Sequence, residues 1–189
     1  MLDDVLYINT GVISNAVLLL REKTISTQRT MGTSSAENYD YDTSNIDTYL
    51  TVTHFNAFPQ DIRNKLINTS ITYTASDGTD LIQKTIQRKI FLPTYEQLNA
   101  GGDILSALKI YKNTDVNNTA RIAVRSSTGL AVNWWTMSTN SLTSYCSISS
   151  AGGNSTASQS TGGVYVRPVI SIDKTVMTTL ANGVYICEF

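Results

Sequence analysis

Recognition of a sugar needs aromatic faces and a few planar hydrogen-bonding groups, and one part of this chain is rich in both. Asn133, Trp134 and Trp135 stand together, and Asn140, Tyr145, Asn154 and Tyr165 follow downstream. The rings would give contact area at low conformational cost, and the amides would give adaptable hydrogen bonds. Trp134 and Trp135 are the only two tryptophans of the protein. Successive side chains of a strand point to opposite faces, so one indole is expected to enter the core and the other to face solvent. Taken singly, each aromatic residue is more readily explained as core or sheet surface than as a ligand contact.

Other chemistries find less material. Asp40 and Asp42 sit in a polar loop, while Asp47, Asp61 and Glu96 cap or coat helices. A Ser-His-Asp set would have to use His54, the single histidine, and nothing marks a nucleophile elbow. No catalytic residue is therefore assigned, and the protein is read as not an enzyme. Cys146 and Cys187 lack CxxC partners, so a Cys/His zinc site cannot be assembled; no metal and no cofactor is expected. The two thiols are expected to be buried and unpaired, because the acidic start Met1-Leu2-Asp3-Asp4-Val5 lacks the basic segment of a secretory signal. Three Asn-x-Ser/Thr triplets, at Asn68, Asn117 and Asn154, are then accidents of composition. A net charge of −1 gives no electrostatic case for nucleic acid or an anionic membrane. The apolar run Ala16 to Leu20 is too short to cross a bilayer. Charged residues make up only 15% of the chain, against about a quarter in ordinary soluble proteins. Ser, Thr, Asn, Gln and Tyr must build the surface, as suits β-rich extracellular or virion proteins.

The elements that would position the aromatic stretch can be read in order. Tyr7-Ile8 and Ala16 to Arg21 read as strands, with a turn at Asn9-Thr10-Gly11 or Ser14-Asn15. Thr24 to Thr43 reads as loop. Ser44 caps a helix running to about Val52, with Asp47 three residues on and Ile46, Tyr49 and Leu50 on one face. Pro59 starts a second helix reaching Asn68, with Ile62 and Leu66 inward; Phe55 and Phe58 seal the connection. Ile71 to Tyr73 is a short strand before a turn at Ala75-Ser76-Asp77-Gly78. Lys89 to Pro93 is another strand. Thr94 and Gln97 have capping-box spacing for a third helix, ended by Gly101-Gly102, and Leu105, Leu108 and Tyr111 suggest one more helical turn. Arg121 to Arg125 alternates as a strand, and Gly183 to Cys187 closes the chain.

Asn133 to Ser138 and Gly162 to Asp173 are expected to be neighbouring strands of one sheet. Between them Thr139 to Thr161 is a polar insertion, and Ser147 to Gly163 reads as a long loop, either disordered or held by its own side chains. Arg167 is expected to tie the sheet to a loop carbonyl or carboxylate. The whole is a single α+β domain over residues 1–189, with a working face on Asn133 to Ser144 and Ser147 to Gly163.

Several segments in order resemble a known family: Leu18-Leu19-Leu20-Arg21, Ser44-Asn45-Ile46-Asp47, Ile62-Arg63, Ile90-Phe91-Leu92-Pro93-Thr94-Tyr95-Glu96-Gln97-Leu98, Trp134-Trp135-Thr136-Met137-Ser138 and Gly163-Val164-Tyr165-Val166-Arg167-Pro168. Together they resemble the domain of unassigned function found in Firmicute surface proteins and their phages, which is similar to C-type lectin-like folds and to the formylglycine-generating enzyme. The resemblance spans about Val17 to Asp173. It implies a C-type lectin-like fold, with two helices on a mostly antiparallel twisted sheet bearing long polar loops. It also implies a virion-surface recognition or adhesion module, made in the host cytoplasm, whose partners are a host cell-surface glycan or protein and other virion proteins, with room for a homo-oligomer. A cell-surface assembly is the alternative location. A structural capsid or tail decoration protein is the alternative function, and an enzyme related to the formylglycine-generating group a second. The chain departs from these relatives at Met137, where the family usually has Arg. It lacks the calcium-dependent sugar motifs of animal lectins and the local cysteine pair of the enzyme.

Overall fold

The computed structural model describes residues 7–13, 15–32, 39–99, 121–179 and 185–187. The expected segment with Gly101-Gly102, Leu105, Leu108 and Tyr111 lies outside these, as do Gly183 and Val184. The architecture is α+β with mostly antiparallel strands.

The apolar run becomes β2 (Ala16–Arg21), whose first five residues are buried. It turns back on β1 (Tyr7–Ile13) through Asn15, the second of the two expected turns, while the pairing slips between Asn9 and Gly11. The hairpin β3 (Thr69–Ser76) and β4 (Leu81–Arg88) pairs in full register. Its turn is closed by Asp77, whose Oδ1 accepts from the backbone N–H of Thr79 and Asp80, both at 2.8 Å, with Gly78 at φ 94°. β4 was not expected. Only Ile86 of its eight residues is buried, so it lacks the apolar alternation that marks a strand. After β5 (Ile90–Phe91) come the pairs β6 (Ala123–Val124) and β7 (Ala131–Val132), then β8 (Trp134–Ser141), β9 (Ser144–Ile148), β10 (Asn154–Ala157) and β11 (Val169–Asp173). β12 (Met177–Thr179) and β13 (Tyr185–Cys187) form a final hairpin.

The first sheet runs β1-β2-β11-β5, so an early and a late strand lie side by side at its centre. β8 is not part of it. It belongs to a second sheet, β10-β9-β8, which corrects the expectation of one sheet. Tyr165, ahead of β11, makes a parallel bridge to β8, where Trp135 N–H donates to Tyr165 O at 3.0 Å and Tyr165 N–H to Asn133 O at 2.9 Å. Pro168 explains the break. It has no N–H for a ladder, so β11 begins after it, and Val164 to Pro168 runs as an extended segment bonded to residues 21–29 instead.

The polar insertion is also corrected, because it is a three-stranded meander and not a loop. Ser141 and Ser144 face each other across a two-residue turn, and Ser149 to Gly153 closes the next turn with Gly152 at φ 80°. Tyr145, Cys146, Ser147 and Ile148 are all buried, so the low-complexity composition hides a strand with a core side.

Helix α1 covers residues 45–57, thirteen in all. Ser44 caps it, its Oγ accepting from Asp47 N–H at 3.0 Å. It continues beyond Val52 because the chain widens into a π-wound stretch, Tyr49–His54, before resuming at Phe55–Ala57. Phe58, before Pro59, is extended, as a residue preceding proline should be. Helix α2 (Gln60–Lys65) is shorter than expected, with Pro59 as its cap. It stops because Leu66 leaves the helix to bridge Ile172 of the first sheet. Helix α3 (Tyr95–Asn99) starts on the expected reciprocal box: Thr94 N–H donates to Gln97 Oε1 and Gln97 N–H to Thr94 Oγ1, each at 2.9 Å. One core cluster joins β2, β3, β5, β8, β9, β11 and Ile46 and Leu50 of α1.

Candidate functional site

The aromatic residues singled out from the sequence are buried. Trp134 and Trp135 are both fully buried, which corrects the expectation of one outward ring. The strand still alternates, but both sides of β8 are roofed. The Trp134 indole donates to Arg121 O at 3.0 Å, with the Arg167 guanidinium 5.2 Å from its ring. The Trp135 indole donates to Arg29 O at 2.7 Å and meets the Tyr145 ring edge-on at 6.2 Å. Tyr145 and Tyr165 are buried as well, the Tyr165 hydroxyl accepting from Gln28 Nε2 at 3.0 Å. Tyr39 and Tyr41 are core residues too. Asn133, Asn140 and Asn154 are exposed. Asn133 Oδ1 accepts from Ser150 N–H at 2.8 Å and Asn154 Oδ1 from Arg121, so both side chains already have partners within the protein.

A different arrangement emerges between α1 and the β4–β5 edge. Thr51 and Phe55 of α1, Asn68 beyond α2, and the consecutive Gln87, Arg88, Lys89 and Ile90 line an open groove of about 470 Å³. That volume lies in the range of small-ligand sites. The π-wound stretch carries Thr51 and ends against Phe55, so the local widening of α1 shapes this wall. Lys89 is held by the first sheet, its carbonyl accepting from Ser171 N–H at 2.9 Å.

Behind the groove lies a charge network. Arg88 donates to both oxygens of Asp47, at 2.9 and 2.8 Å, and to Asp42 Oδ1 at 2.5 Å. Its remaining terminal nitrogen donates to Gln87 O at 3.0 Å. Lys84 pairs with Asp40, which also accepts from the Tyr73 hydroxyl. The bonds from Asp47 hold the Arg88 guanidinium charged, above its ordinary value. Burial pushes the Asp47 carboxyl up against the pull of Arg88. Burial and the hydrogen bond to Asp40 raise the Tyr73 phenol. Arg88 is therefore rigid, and its charge is already offset by two carboxylates.

Lys89 is different. Its ammonium stands 5.5 Å from the centre of the Phe55 ring, and the Arg63 guanidinium 5.9 Å from the same ring. Arg63 donates to two neutral amides, Asn56 at 3.0 Å and Gln60 at 2.6 Å. Among the described residues no carboxylate forms an ion pair with either cation. The side-chain amides of Asn68 and Gln87 make no hydrogen bond among the described residues and are exposed. The groove thus combines an apolar wall, two uncommitted amides and an unneutralised ammonium on rigid elements.

Elsewhere the polar groups are partnered in part, and the buried His54 Nε2 makes no hydrogen bond among the described residues. Glu96 accepts from Thr74 Oγ1 at 2.6 Å and Ser138 Oγ at 2.5 Å. His54 lies between the Tyr49 and Phe58 rings, and burial, then Arg21 and Arg29, lower it to about 4, so it is neutral at pH 7. Cys146 is a free, buried thiol pushed up to about 12 by burial and by Glu96. Arg167, ahead of β11, donates from Nε to Arg21 O at 2.9 Å, so the carbonyl it ties belongs to the end of β2 and not to a loop as expected. Among the described residues no cluster of His, Cys, Asp or Glu suits a metal ion, and no helix is long and apolar enough to cross a membrane.

Sequence reasoning missed the groove because its lining comes from separate segments. The available signal was the adjacent Arg88-Lys89 at the end of a polar strand, in a chain poor in charge. Comparison with known proteins finds a family described as a domain of unknown function, DUF6273, over residues 14–174, and the chain belongs to it. No curated protein and no solved structure matches the chain.

Proposed function

We propose that this DUF6273 domain is a non-enzymatic recognition module that binds a surface glycan in the groove between α1 and the β4–β5 edge. The observation that carries the reading is the lining itself. Phe55 and Ile90 offer an apolar wall for the C–H face of a sugar ring, and Asn68 and Gln87 offer amides with no partner among the described residues. These groups sit on a helix and a sheet edge, which hold them in place before a ligand arrives. The partnered state of Glu96 and the neutral, ring-enclosed His54 favour binding over catalysis.

The same proposal includes a C-type lectin-like fold, in which an early strand pairs with a late one and the helices between them pack on that sheet. The central β2–β11 pair and the position of α1 support it. A place on a virion surface, with a host glycan as partner, fits the uncharged, Ser/Thr/Asn-rich composition. A glycan array probed with the wild type and with Asn68→Ala/Gln87→Ala tests the function. The double variant is expected to lose binding by on the order of 1–3 kcal/mol with an unchanged melting temperature. Undiminished binding by the double variant would place the glycan outside this groove, and no glycan bound by the wild type would favour structural decoration instead.

A further inference from the structure

We infer that the groove selects an acidic saccharide, a sugar bearing a single carboxylate that meets the Lys89 ammonium. This rests on the recognition reading above and names its ligand class. Among the described residues the lining contains two cations and no carboxylate, in a protein whose net charge is −1. The positive sign is therefore local to the groove. Arg88 contributes little to it, since Asp42 and Asp47 already face that guanidinium. Lys89 contributes its full charge, because its near neighbour is the Phe55 ring and not an acid. Arg63, 5.9 Å from the same ring, donates to two neutral amides and adds to the same sign. A concave site lined by one sign of charge concentrates ligands of the other.

The chemistry narrows the anion. A phosphate monoester carries about two negative charges near neutral pH, whereas lysine is a compact point charge, here a single ammonium at the groove wall. A carboxylate monoanion matches it. The rest of the lining then matches a pyranose more closely than a bare anion. Phe55 and Ile90 take an apolar ring face, and Asn68 and Gln87 present both donors and acceptors to hydroxyls. Thr51 adds an acceptor, since its hydroxyl hydrogen is directed to Asp47 O at 2.7 Å.

The test is NMR titration of the full chain with D-glucuronate, D-glucose, acetate, inorganic phosphate and an Asp/Glu-rich peptide. Wild type, Lys89→Gln and Lys89→Arg are compared after circular dichroism has verified their folding. Glucuronate is expected to bind at least about tenfold more tightly than glucose or acetate, a difference of about 1.4 kcal/mol. Lys89→Gln should bring glucuronate down to the affinity of glucose and leave glucose unchanged, while Lys89→Arg should keep most of the preference. Added salt should weaken glucuronate binding only. Equal affinity for both sugars, or an unaffected Lys89→Gln, overturns the acidic class and leaves the glycan reading standing. Acetate or phosphate binding as tightly as glucuronate makes this a simple anion site, and tighter binding of the peptide makes it a peptide site; either overturns the inference. If neither sugar binds, the inference and the recognition reading fail together.

Discussion

Replacing either tryptophan should unfold much of this protein's margin of stability, although the chain's alternation suggests that one of them could be spared. Both rings are fully buried, each in a different environment. Deleting a buried Trp to Ala costs about 3–5 kcal/mol from lost transfer energy and the cavity left behind. Each variant also strips a donor from a carbonyl, Arg121 O for Trp134 and Arg29 O for Trp135. A buried group left without its partner adds about 1–3 kcal/mol if water cannot replace it. Against a typical total of about 5–15 kcal/mol, each Ala variant should be barely folded at 25 °C. Trp→Phe separates the contributions, since it keeps most of the packing and should cost about 1–2 kcal/mol, near the hydrogen-bond share. Urea unfolding followed by far-UV circular dichroism measures the loss. Each single variant retains one tryptophan, whose fluorescence gives a second probe of the same transition. If either Ala variant unfolds within about 1 kcal/mol of wild type at unchanged slope, that ring is not core and the roofing of β8 is wrong.

His54 should make stability depend on pH in a defined direction. Its folded value of about 4 lies below the ordinary 6.5, so the unfolded chain binds more protons between these two; the contribution is complete above pH 6.5 and lost as pH falls through 4, by up to about 3 kcal/mol. Urea midpoints from pH 7 to 4 should fall less steeply for His54→Gln than for wild type, and parallel curves would show that the imidazole is not buried as described. Gln97→Ala should cost about 1–2 kcal/mol by orphaning the buried Thr94 N–H, while Gln97→Glu keeps an acceptor there and should cost less in the same assay. In a Cys187→Ser background, Cys146 should resist a thiol reagent at pH 8 in the native state and react at once in urea, because burial keeps its pKa near 12.

What the sequence made legible was local. The five-residue run Ala16 to Leu20 could only be a buried strand, and it is. Ser44 and the Thr94/Gln97 pair announce helix starts through side chains that satisfy free backbone N–H groups, and the bonds are present. The failures have physical causes at longer range. Alternation places Trp134 and Trp135 on opposite sides of a strand, but whether a side is solvent depends on Arg29, Arg121, Tyr145 and Arg167, which arrive from elsewhere in the chain. The Ser/Thr-rich stretch from Ser147 to Gly163 reads as loop by composition, yet Ser147–Ile148 ends β9 and Asn154–Ala157 forms β10, since Ser and Thr pair well across strands. β4 carries almost no buried residue and is fixed instead by β3 and by the bonds of Lys84 and Arg88 to acids near α1. The groove inherits that difficulty, since it needs β4, the π-widened helix and Asn68 at once.

The central claim is that ligand enters the groove and not the Asn133 to Asn154 side of the second sheet. The most direct measurement is the side-chain amide region of an assigned 15N spectrum as D-glucuronate, and in parallel D-glucose, is added. The account predicts that the NH2 signals of Asn68 and Gln87 shift together with the backbone signals of Phe55 and Lys89, while those of Asn133, Asn140 and Asn154 stay in place. Shifts confined to Asn133, Asn140 and Asn154, with Asn68 and Gln87 unmoved, would contradict it.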